Sequence, residues 1–321
     1  MLDGWGNPLS WANIGVQIFF FMSGWLYGNK DIADATAWFK RNISKIIVPY
    51  WGCLVVFIPV IALLSVDNVT FAKVLTAIFC LQGFGYTIEG IGQHWFVSYI
   101  VLCYLITPFI LNRYRNFFVT KYMWLHLCIV VFVAQAITIP FALWFQFKVA
   151  YIFNYVLGYA YGVRYGTYEN IKITDKKLFD TCLIIASIIG IALRIYLLGF
   201  EFYGITAKML DCYSQWVKVI TGCTIFILTI NIIPADGSWL SDNMKKKIKT
   251  ISTYTFEIYL VHEFFTCDMY TDLFDVSLSM KIAIVLLSII IATIALVLFE
   301  KMFNCMKYSL LKKSLGNMSS K

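Results

Sequence analysis

The residues most able to do chemistry lie in the apolar segment 250–263, which contains Glu257, Tyr259, His262 and Glu263. Tyr259 and His262 share one face of a helix, whereas the two glutamates lie off that face. Ionisable groups in a long apolar helix are costly and mark functional sites by default. We therefore predict that His262 is a general base and that Glu257 is a further catalytic candidate. The alternative is a histidine satisfied by a neighbouring helix and a glutamate that extends to an interface.

A second histidine, His94, is followed directly by Trp95 and Phe96. His94 is the other candidate for a catalytic base, and the indole of Trp95 could stack on a sugar ring. Tryptophan at the end of an apolar helix is also typical of the aromatic belt at a membrane interface, and that interpretation stays open. Since the sequence contains only three histidines, few residues are able to supply an imidazole group for catalysis.

Basic side chains precede another apolar segment, because residues 39–50 contain Lys40, Arg41 and Lys45 and end in Pro-Tyr. Such a cluster can bind the phosphate groups of a substrate or cofactor. It would equally arise from membrane topology alone, since basic residues favour cytoplasmic loops. The sequence contains no P-loop, dinucleotide fingerprint, serine-centred elbow or metal-ligand cluster, so no metal site is predicted.

The composition indicates whether water or lipid surrounds these segments. The 321 residues are 60% hydrophobic and 14% charged, with a mean hydropathy of +0.74, whereas soluble domains carry about 25% charged residues. This excludes a soluble two-domain enzyme and a disordered chain, and it predicts a membrane protein. The nine cysteines form no CxxC pair, so we interpret them as small hydrophobic residues rather than a disulfide framework.

Nine apolar segments are long enough to cross the ~30 Å hydrocarbon core of a membrane. They predict an all-α, polytopic membrane helix bundle in one domain, residues 1–321, with a basic cytoplasmic tail at 304–321. A further apolar stretch, 71–84, is too short to span and predicts a re-entrant or interfacial segment. The predicted spans are residues 11–28, 46–65, 94–111, 122–144, 149–166, 179–199, 215–233, 251–270 and 281–303.

The basic residues predict the orientation of these spans. With residues 1–10 outside and the C-terminus cytoplasmic, 20 of the 26 basic residues lie in the inner loops and the tail. Topology then explains the net charge of +8, so nucleic-acid binding is not expected. An outside N-terminus without a signal peptide also predicts one more helix before Met1. The basic residues that fall at outer positions are Lys73, Lys148, Arg194, Lys208, Lys218 and Lys281.

Five motifs, in their order along the chain, resemble the acyltransferase 3 family of bacterial integral-membrane O-acyltransferases. Residues 15–24 are similar to the family's Gly-Val-x-x-Phe-Phe-x-x-Ser-Gly helix, and residues 39–50 to its basic segment that ends in Pro-Tyr. Residues 93–96, with Tyr104 and Pro108, resemble its His-x-Trp-Phe…Tyr…Pro helix, although here the histidine adjoins the tryptophan.

Two further motifs complete the resemblance, which covers about residues 11–303. Residues 157–159 are similar to a Leu-Gly-Tyr helix, and residues 252–262 to the penultimate helix, which ends in Tyr-Leu-x-His. The resemblance implies transfer of an acyl group, usually acetyl from acetyl-CoA, to a sugar hydroxyl of O-antigen, capsule or a related envelope glycan. The implied location is the bacterial inner membrane.

The resemblance also implies roles for residues and partners. The expected partners are acyl-CoA as donor substrate, an envelope glycan or lipid-linked oligosaccharide as acceptor, and membrane lipid, with no bound cofactor. Lys40, Arg41 and Lys45 would lie at the cytoplasmic acyl-CoA entrance. The implied substrate-binding residues are Ser23, Trp95 and Tyr259.

Two departures from the family pattern bear on activity. Lys45 stands where the family normally has a second arginine, and lysine lacks the fork that grips phosphate with two hydrogen bonds. The family's first helix carries an Arg-x10-His pattern whose histidine is the favoured base, and we expect this sequence to begin after that helix. The alternatives are therefore a polysaccharide exporter or transporter of the same fold, or an inactive truncated family member.

Overall fold

A computed structural model describes residues 14–141, 148–167, 173–197, 199–232 and 240–318. Helices dominate these ranges, and no strand occurs within them, which confirms the all-α prediction. Several predicted features lie outside the described residues, namely the outer N-terminal segment 1–10, residues 11–13, 142–144, 198 and 233 of predicted spans, and residues 319–321 of the tail.

The α-helices of the described ranges are numbered in chain order. Short 3₁₀ or π turns connect several of them, including Gly92–His94 directly before α4 and Val163–Thr167 directly after α6. The helices are α1 (Gly15–Gly28), α2 (Ala35–Leu64), α3 (Phe71–Ile78), α4 (Trp95–Ile106), α5 (Met123–Phe141), α6 (Val149–Gly162), α7 (Ile173–Leu197), α8 (Gly204–Ile232), α9 (Asp242–Thr253), α10 (Thr255–Thr266), α11 (Asp268–Thr271) and α12 (Leu278–Met318).

Helical stretches that could cross a membrane account for much of the described chain. By length and composition, five of them qualify, and Met123–Ile137 is a shorter apolar helix. The stretch 71–84 contains only the eight-residue α3 and a 3₁₀ turn, about 12 Å of helix, so it is too short to span, as predicted. The five qualifying stretches are Ala35–Leu64, Gly92–Leu111, Lys176–Leu197, Gly204–Ile232 and Leu278–Met306.

The structure corrects the prediction of one continuous span over residues 251–270. α9 ends at Thr253, and α10 is a separate helix of 12 residues. Twelve residues rise about 18 Å, well short of the ~30 Å hydrocarbon core. The polar cluster singled out in the sequence therefore lies on a short helix rather than in the middle of a long one.

The described residues form two compact units. The first unit is Met1–Lys40 with Tyr99–Trp239, and the second unit is Arg41–Ser98 with Leu240–Lys321. The predicted organisation as one domain stays a prediction.

The first unit is built on close contact between α1 and α6. Glycines occur one turn apart on both helices, and an added Cβ atom at any of four of them would overlap a backbone carbonyl oxygen of the facing helix. Only glycine permits this approach, which is the small-residue packing expected of membrane helices. The overlapping pairs are Gly24 with Tyr155, Gly28 with Tyr159, Gly158 with Phe21 and Gly162 with Trp25.

The tyrosines of α6 complete this packing. Tyr155 is fully buried, and its hydroxyl lies 2.6 Å from the hydroxyl of Thr107. Tyr151 donates a hydrogen bond of 2.7 Å to the side chain of Gln215. The apolar core of the unit lies around them, formed by Phe21, Leu157, Val219, Cys223, Phe226 and Ile227.

The second unit anchors the short helix α3 to α2 through side-chain hydrogen bonds. The Tyr50 hydroxyl donates to the carbonyl of Ala77 (2.6 Å), and the Trp51 indole donates to the carbonyl of Ile78 (3.1 Å). These carbonyls belong to the last turn of α3, where no further N–H group of the helix is available to donate to them. Aromatic side chains of α2 thereby satisfy the end of α3.

Candidate active site

The second unit places His94 against α10. The imidazole is fully buried, and its Nε2 lies 2.9 Å from the carbonyl oxygen of Leu260. Because a carbonyl oxygen can only accept, Nε2 carries the proton and Nδ1 holds the lone pair. Nδ1 is buried and has no hydrogen-bond partner within the described ranges. His94 is therefore a neutral imidazole sealed inside the unit.

Gln93 and Tyr259 join the Gly92–His94 turn to α10 from both sides. The Gln93 side chain donates to the carbonyl of Leu260 (3.0 Å), while the Tyr259 hydroxyl donates to the carbonyl of Gln93 (2.9 Å). The backbone N–H of Gln93 also donates to the Glu263 carboxylate. A Cβ atom at Gly92 would lie 3.0 Å from that carboxylate. The glycine thus lets the turn approach α10 closely enough for these bonds to form.

His262 lies on α10, about one turn after Tyr259, and is partly exposed. Its Nδ1 is 2.8 Å from the carbonyl oxygen of Tyr259, so Nδ1 donates and Nε2 holds the lone pair. No residue that the structure describes hydrogen-bonds to Nε2. Glu263, the next residue, interacts electrostatically with the His262 ring. His262 is consequently an imidazole that the Tyr259 carbonyl orients and that stays partly exposed.

The structure distinguishes the two histidines that the sequence analysis names as candidate bases, with His262 ranked first. Both donate one N–H to a carbonyl of α10, and both keep the other nitrogen as a lone-pair site. They differ in access, because His94 is fully buried whereas His262 is partly exposed. A base must reach the proton that it removes, so this geometry favours His262.

Glu257 lies near the start of α10 and is buried. Its carboxyl group interacts electrostatically with that of Glu300 on α12. One oxygen of each carboxyl group is buried without a hydrogen-bond partner among the described residues. The sequence analysis did not identify Glu300 as the neighbour of Glu257.

The three predicted substrate-binding residues occupy different surroundings. Tyr259 holds the turn through its hydroxyl, as described above. Trp95 is the first residue of α4 and is partly exposed, with its ring 6.4 Å from that of Phe96. Ser23 is buried in α1 and belongs to the first unit. The structure therefore groups Trp95 and Tyr259 in the second unit, whereas Ser23 belongs to the other.

The predicted donor-binding cations lie on the first turns of α2. Lys40, Arg41 and Lys45 are exposed, and no ion pair to a carboxylate is found for them among the described residues. Arg41 and Lys45 are four residues apart and so share a face of the helix. This face is a solvated basic surface able to meet phosphate groups.

Two residues around His94 escaped the sequence analysis. The Sγ of Cys53 lies 3.7 Å from His94 Nε2, and the ring of Tyr50 packs edge-on against the imidazole at 5.2 Å between centroids. Tyr50 belongs to the Pro-Tyr motif, so the sequence offered a reason to select it as a functional residue. The sequence offered no such reason for Cys53, because a single cysteine in an apolar run is typical of ordinary packing.

Comparison with known proteins adds one finding. A family model of the acyltransferase 3 type, described as an acyltransferase domain, matches residues 2–300. Comparison with curated proteins and with solved structures finds no match.

Proposed function

We propose that this chain, which belongs to the acyltransferase 3 family, transfers an acetyl group from acetyl-CoA to a sugar hydroxyl of a surface polysaccharide. Family membership and the apolar helices make it a multi-pass membrane acyltransferase. The acetyl group, the acceptor (O-antigen, capsule or a lipid-linked oligosaccharide) and the bacterial inner membrane are our proposal. The orientation, with the N-terminus outside and the C-terminus cytoplasmic, belongs to the same proposal.

The observation that carries this proposal is the state of His262. Its Nδ1 donates to the carbonyl of Tyr259 and its Nε2 faces no described hydrogen-bond partner, which is the tautomer required of a general base. Nε2 removes the proton of the sugar hydroxyl as the oxygen attacks the thioester carbonyl. The carbon–sulfur bond then breaks, the CoA thiolate leaves, and the proton passes from the imidazolium to the thiolate.

The neighbours of His262 position it for this step. The Tyr259 carbonyl fixes the ring, and the Gln93–Tyr259–Glu263 bonds hold α10 to the turn before α4. Holding the reacting groups in place supplies a large part of enzymatic rate enhancement. His94 helps to fix the same junction from inside and is a positioning residue in this mechanism, while Glu257 stays a further catalytic candidate.

Two features support the donor assignment. The exposed Arg41 and Lys45 offer charge-assisted hydrogen bonds to the phosphates of acyl-CoA, which binds as a substrate and leaves. A small apolar cavity of about 110 Å³ is lined by Cys53, Val261 and Phe299. A water molecule takes up about 30 Å³ of liquid, so this space suits a few heavy atoms and favours a short acyl group such as acetyl.

The acceptor assignment rests on two aromatic residues of the second unit, Trp95 and Tyr259. Trp95 is partly exposed at the start of α4, where its indole can stack on a sugar ring, as aromatic rings commonly do in binding sites. Tyr259 contributes its carbonyl and hydroxyl to the junction, so we assign it an indirect role at the acceptor. Ser23 stays a predicted substrate contact.

The test uses a strain from which the gene is deleted, with and without a plasmid copy of the full gene. Membranes receive acetyl-CoA labelled with ¹³C in the acetyl group, and base-labile acetyl groups on purified envelope polysaccharide are measured by NMR. We expect ¹³C-acetyl on the glycan only when the gene is present. Equal labelling in both strains contradicts the proposal. An unlabelled glycan that is merely retained inside the deletion strain would indicate an exporter.

A further inference from the structure

The first unit contains a large cavity that the proposed reaction does not use. Its volume is about 810 Å³, and it lies between α5, α6, α7 and α8. Sites for small organic ligands typically measure roughly 300–1,000 Å³ and are mostly apolar. Most of the lining is aromatic or aliphatic, including Trp124, Phe153, Leu157, Phe179, Trp216 and Val219.

Two basic residues, Lys121 and Arg164, line the same cavity. Arg164 is only 8% exposed and donates a hydrogen bond of 3.0 Å to the carbonyl of Thr120. Its Nε is buried without a hydrogen-bond partner, and no ion pair joins it to a carboxylate within the described ranges. A buried cation without a counter-charge is costly. An anionic group in the cavity would offset that cost.

The charged and apolar parts of the cavity are separated along the helices. Lys121 lies two residues before α5 and Trp124 in its first turn. Gln135, which accepts a hydrogen bond from Trp216 (3.0 Å), lines the cavity further along α5. From Trp124 to Gln135 the helix rises about 16 Å. This is about half of the ~30 Å hydrocarbon core. The cavity thus has the length of one membrane leaflet, with its cations at one end.

The mouth of the cavity opens on an apolar exterior. Phe132 of α5 and Leu178 of α7 line it and are 74% and 65% exposed. Further along α7, Ile185, Ile188 and Ile189 are exposed as well, as expected of a helix face in contact with lipid. Hydrocarbon chains are therefore the molecules present at the mouth at the highest concentration.

We propose that this cavity binds an acyl chain of an anionic bilayer phospholipid, with its phosphate at Arg164 and Lys121. The charged end, the leaflet-long apolar lining and the mouth on the lipid-facing surface together match this one occupant. Phosphatidylglycerol is the probe that we choose for it. The proposal rests on the first unit alone and is independent of the acetyl-transfer chemistry.

The test compares lipids on the purified full-length protein by native mass spectrometry. The protein is exchanged into mixed micelles of detergent with phosphatidylglycerol or with phosphatidylcholine. We expect the wild type to retain phosphatidylglycerol preferentially. Arg164→Gln should retain about tenfold less, since a hydrogen bond to a charged group contributes about 1.5–3 kcal/mol. Arg115→Gln is the matched control, because Arg115 also donates to backbone carbonyls but does not line the cavity.

A second variant separates lipid binding from folding. Cys182 is exposed on α7 and lines the cavity, so Cys182→Trp should obstruct it without disturbing the core. Cys305→Trp places the same side chain at an exposed position of α12. We expect loss of phosphatidylglycerol only in Cys182→Trp, at an unchanged melting temperature. Equal retention of both lipids by the wild type would overturn the proposal, as would unchanged retention of phosphatidylglycerol in both Arg164→Gln and Cys182→Trp. When palmitoyl-CoA is offered in competition with phosphatidylglycerol, preferential retention of palmitoyl-CoA would overturn the proposal as well.

Discussion

Each of the two units is stabilised internally by a different kind of contact. In the first unit, glycines bring the backbones of α1 and α6 into direct contact, and buried tyrosines fill the space around them. In the second unit, hydrogen bonds between polar groups join the Gly92–His94 turn to α10. Contact between backbones fixes geometry but offers no reactive group. The polar junction fixes geometry and also leaves imidazole nitrogens with available lone pairs.

This difference indicates where stability and chemistry can be separated. Close helix packing tolerates no added atom, because the interior is dense and the facing backbone cannot rotate away. A hydrogen-bonded junction loses about 0.5–1.5 kcal/mol when one neutral bond is removed. We therefore expect substitutions in the first unit to remove folded protein, and well-chosen substitutions in the second unit to change activity while the protein stays folded.

The largest effect is expected at the α1–α6 contact. Gly158→Ala places a Cβ atom on the carbonyl oxygen of Phe21, and overpacking of this kind costs about 1–3 kcal/mol or more. We expect most of the protein to be lost from the monodisperse peak in size-exclusion chromatography. Gly15→Ala is the control, since nothing lies within 4 Å of its added Cβ. Equal elution and melting of both variants would show that this contact does not hold the unit together.

A smaller and different effect is expected at the basic face of α2. Arg41→Gln removes a charged donor from the proposed phosphate contact, so the KM for acetyl-CoA should rise about tenfold while kcat stays unchanged. Arg113→Gln removes an equally exposed arginine outside this face. Steady-state kinetics on purified protein measure both. A lowered kcat with unchanged KM would argue against donor binding by Arg41.

The smallest effect is expected at the polar junction. Tyr259→Phe removes the hydrogen bond to the Gln93 carbonyl but keeps the backbone carbonyl that holds His262. The free energy of unfolding should fall by about 1 kcal/mol. The kcat should fall only modestly, because the Tyr259 carbonyl still orients His262 and the Gln93 and Glu263 bonds still hold the junction. Tyr196→Phe, at an exposed position, should change neither. If Tyr259→Phe abolishes turnover at unchanged stability, the hydroxyl takes part in the reaction itself.

The helices could be predicted well because their signals are local. Most of the described helices overlap predicted apolar segments, although α9 lies almost entirely outside them and α2, α8 and α12 extend beyond them. The break between α9 and α10 at Tyr254 was not predictable, since no glycine or proline marks it.

The candidate site could be predicted only in part. The residue types at positions 257–263 indicated a functional face, and His94 and His262 were both named. His262 was ranked first from the sequence, but the difference in access that supports this ranking, full burial of His94 and partial exposure of His262, is not contained in a sequence pattern. Glu300 could not be predicted from the sequence either, because its proximity to Glu257 depends on how α12 packs against α10.

The most direct test of the account is acetyl transfer by His262→Ala. His126→Ala is the matched control, because His126 also has its Nδ1 at 2.8 Å from a backbone carbonyl one turn earlier but lies in the first unit. Loss of a general base should lower kcat by about 100-fold or more, at an unchanged melting temperature, with the control at wild-type activity. Full acetyl transfer by well-folded His262→Ala would contradict the account and remove His262 from the mechanism.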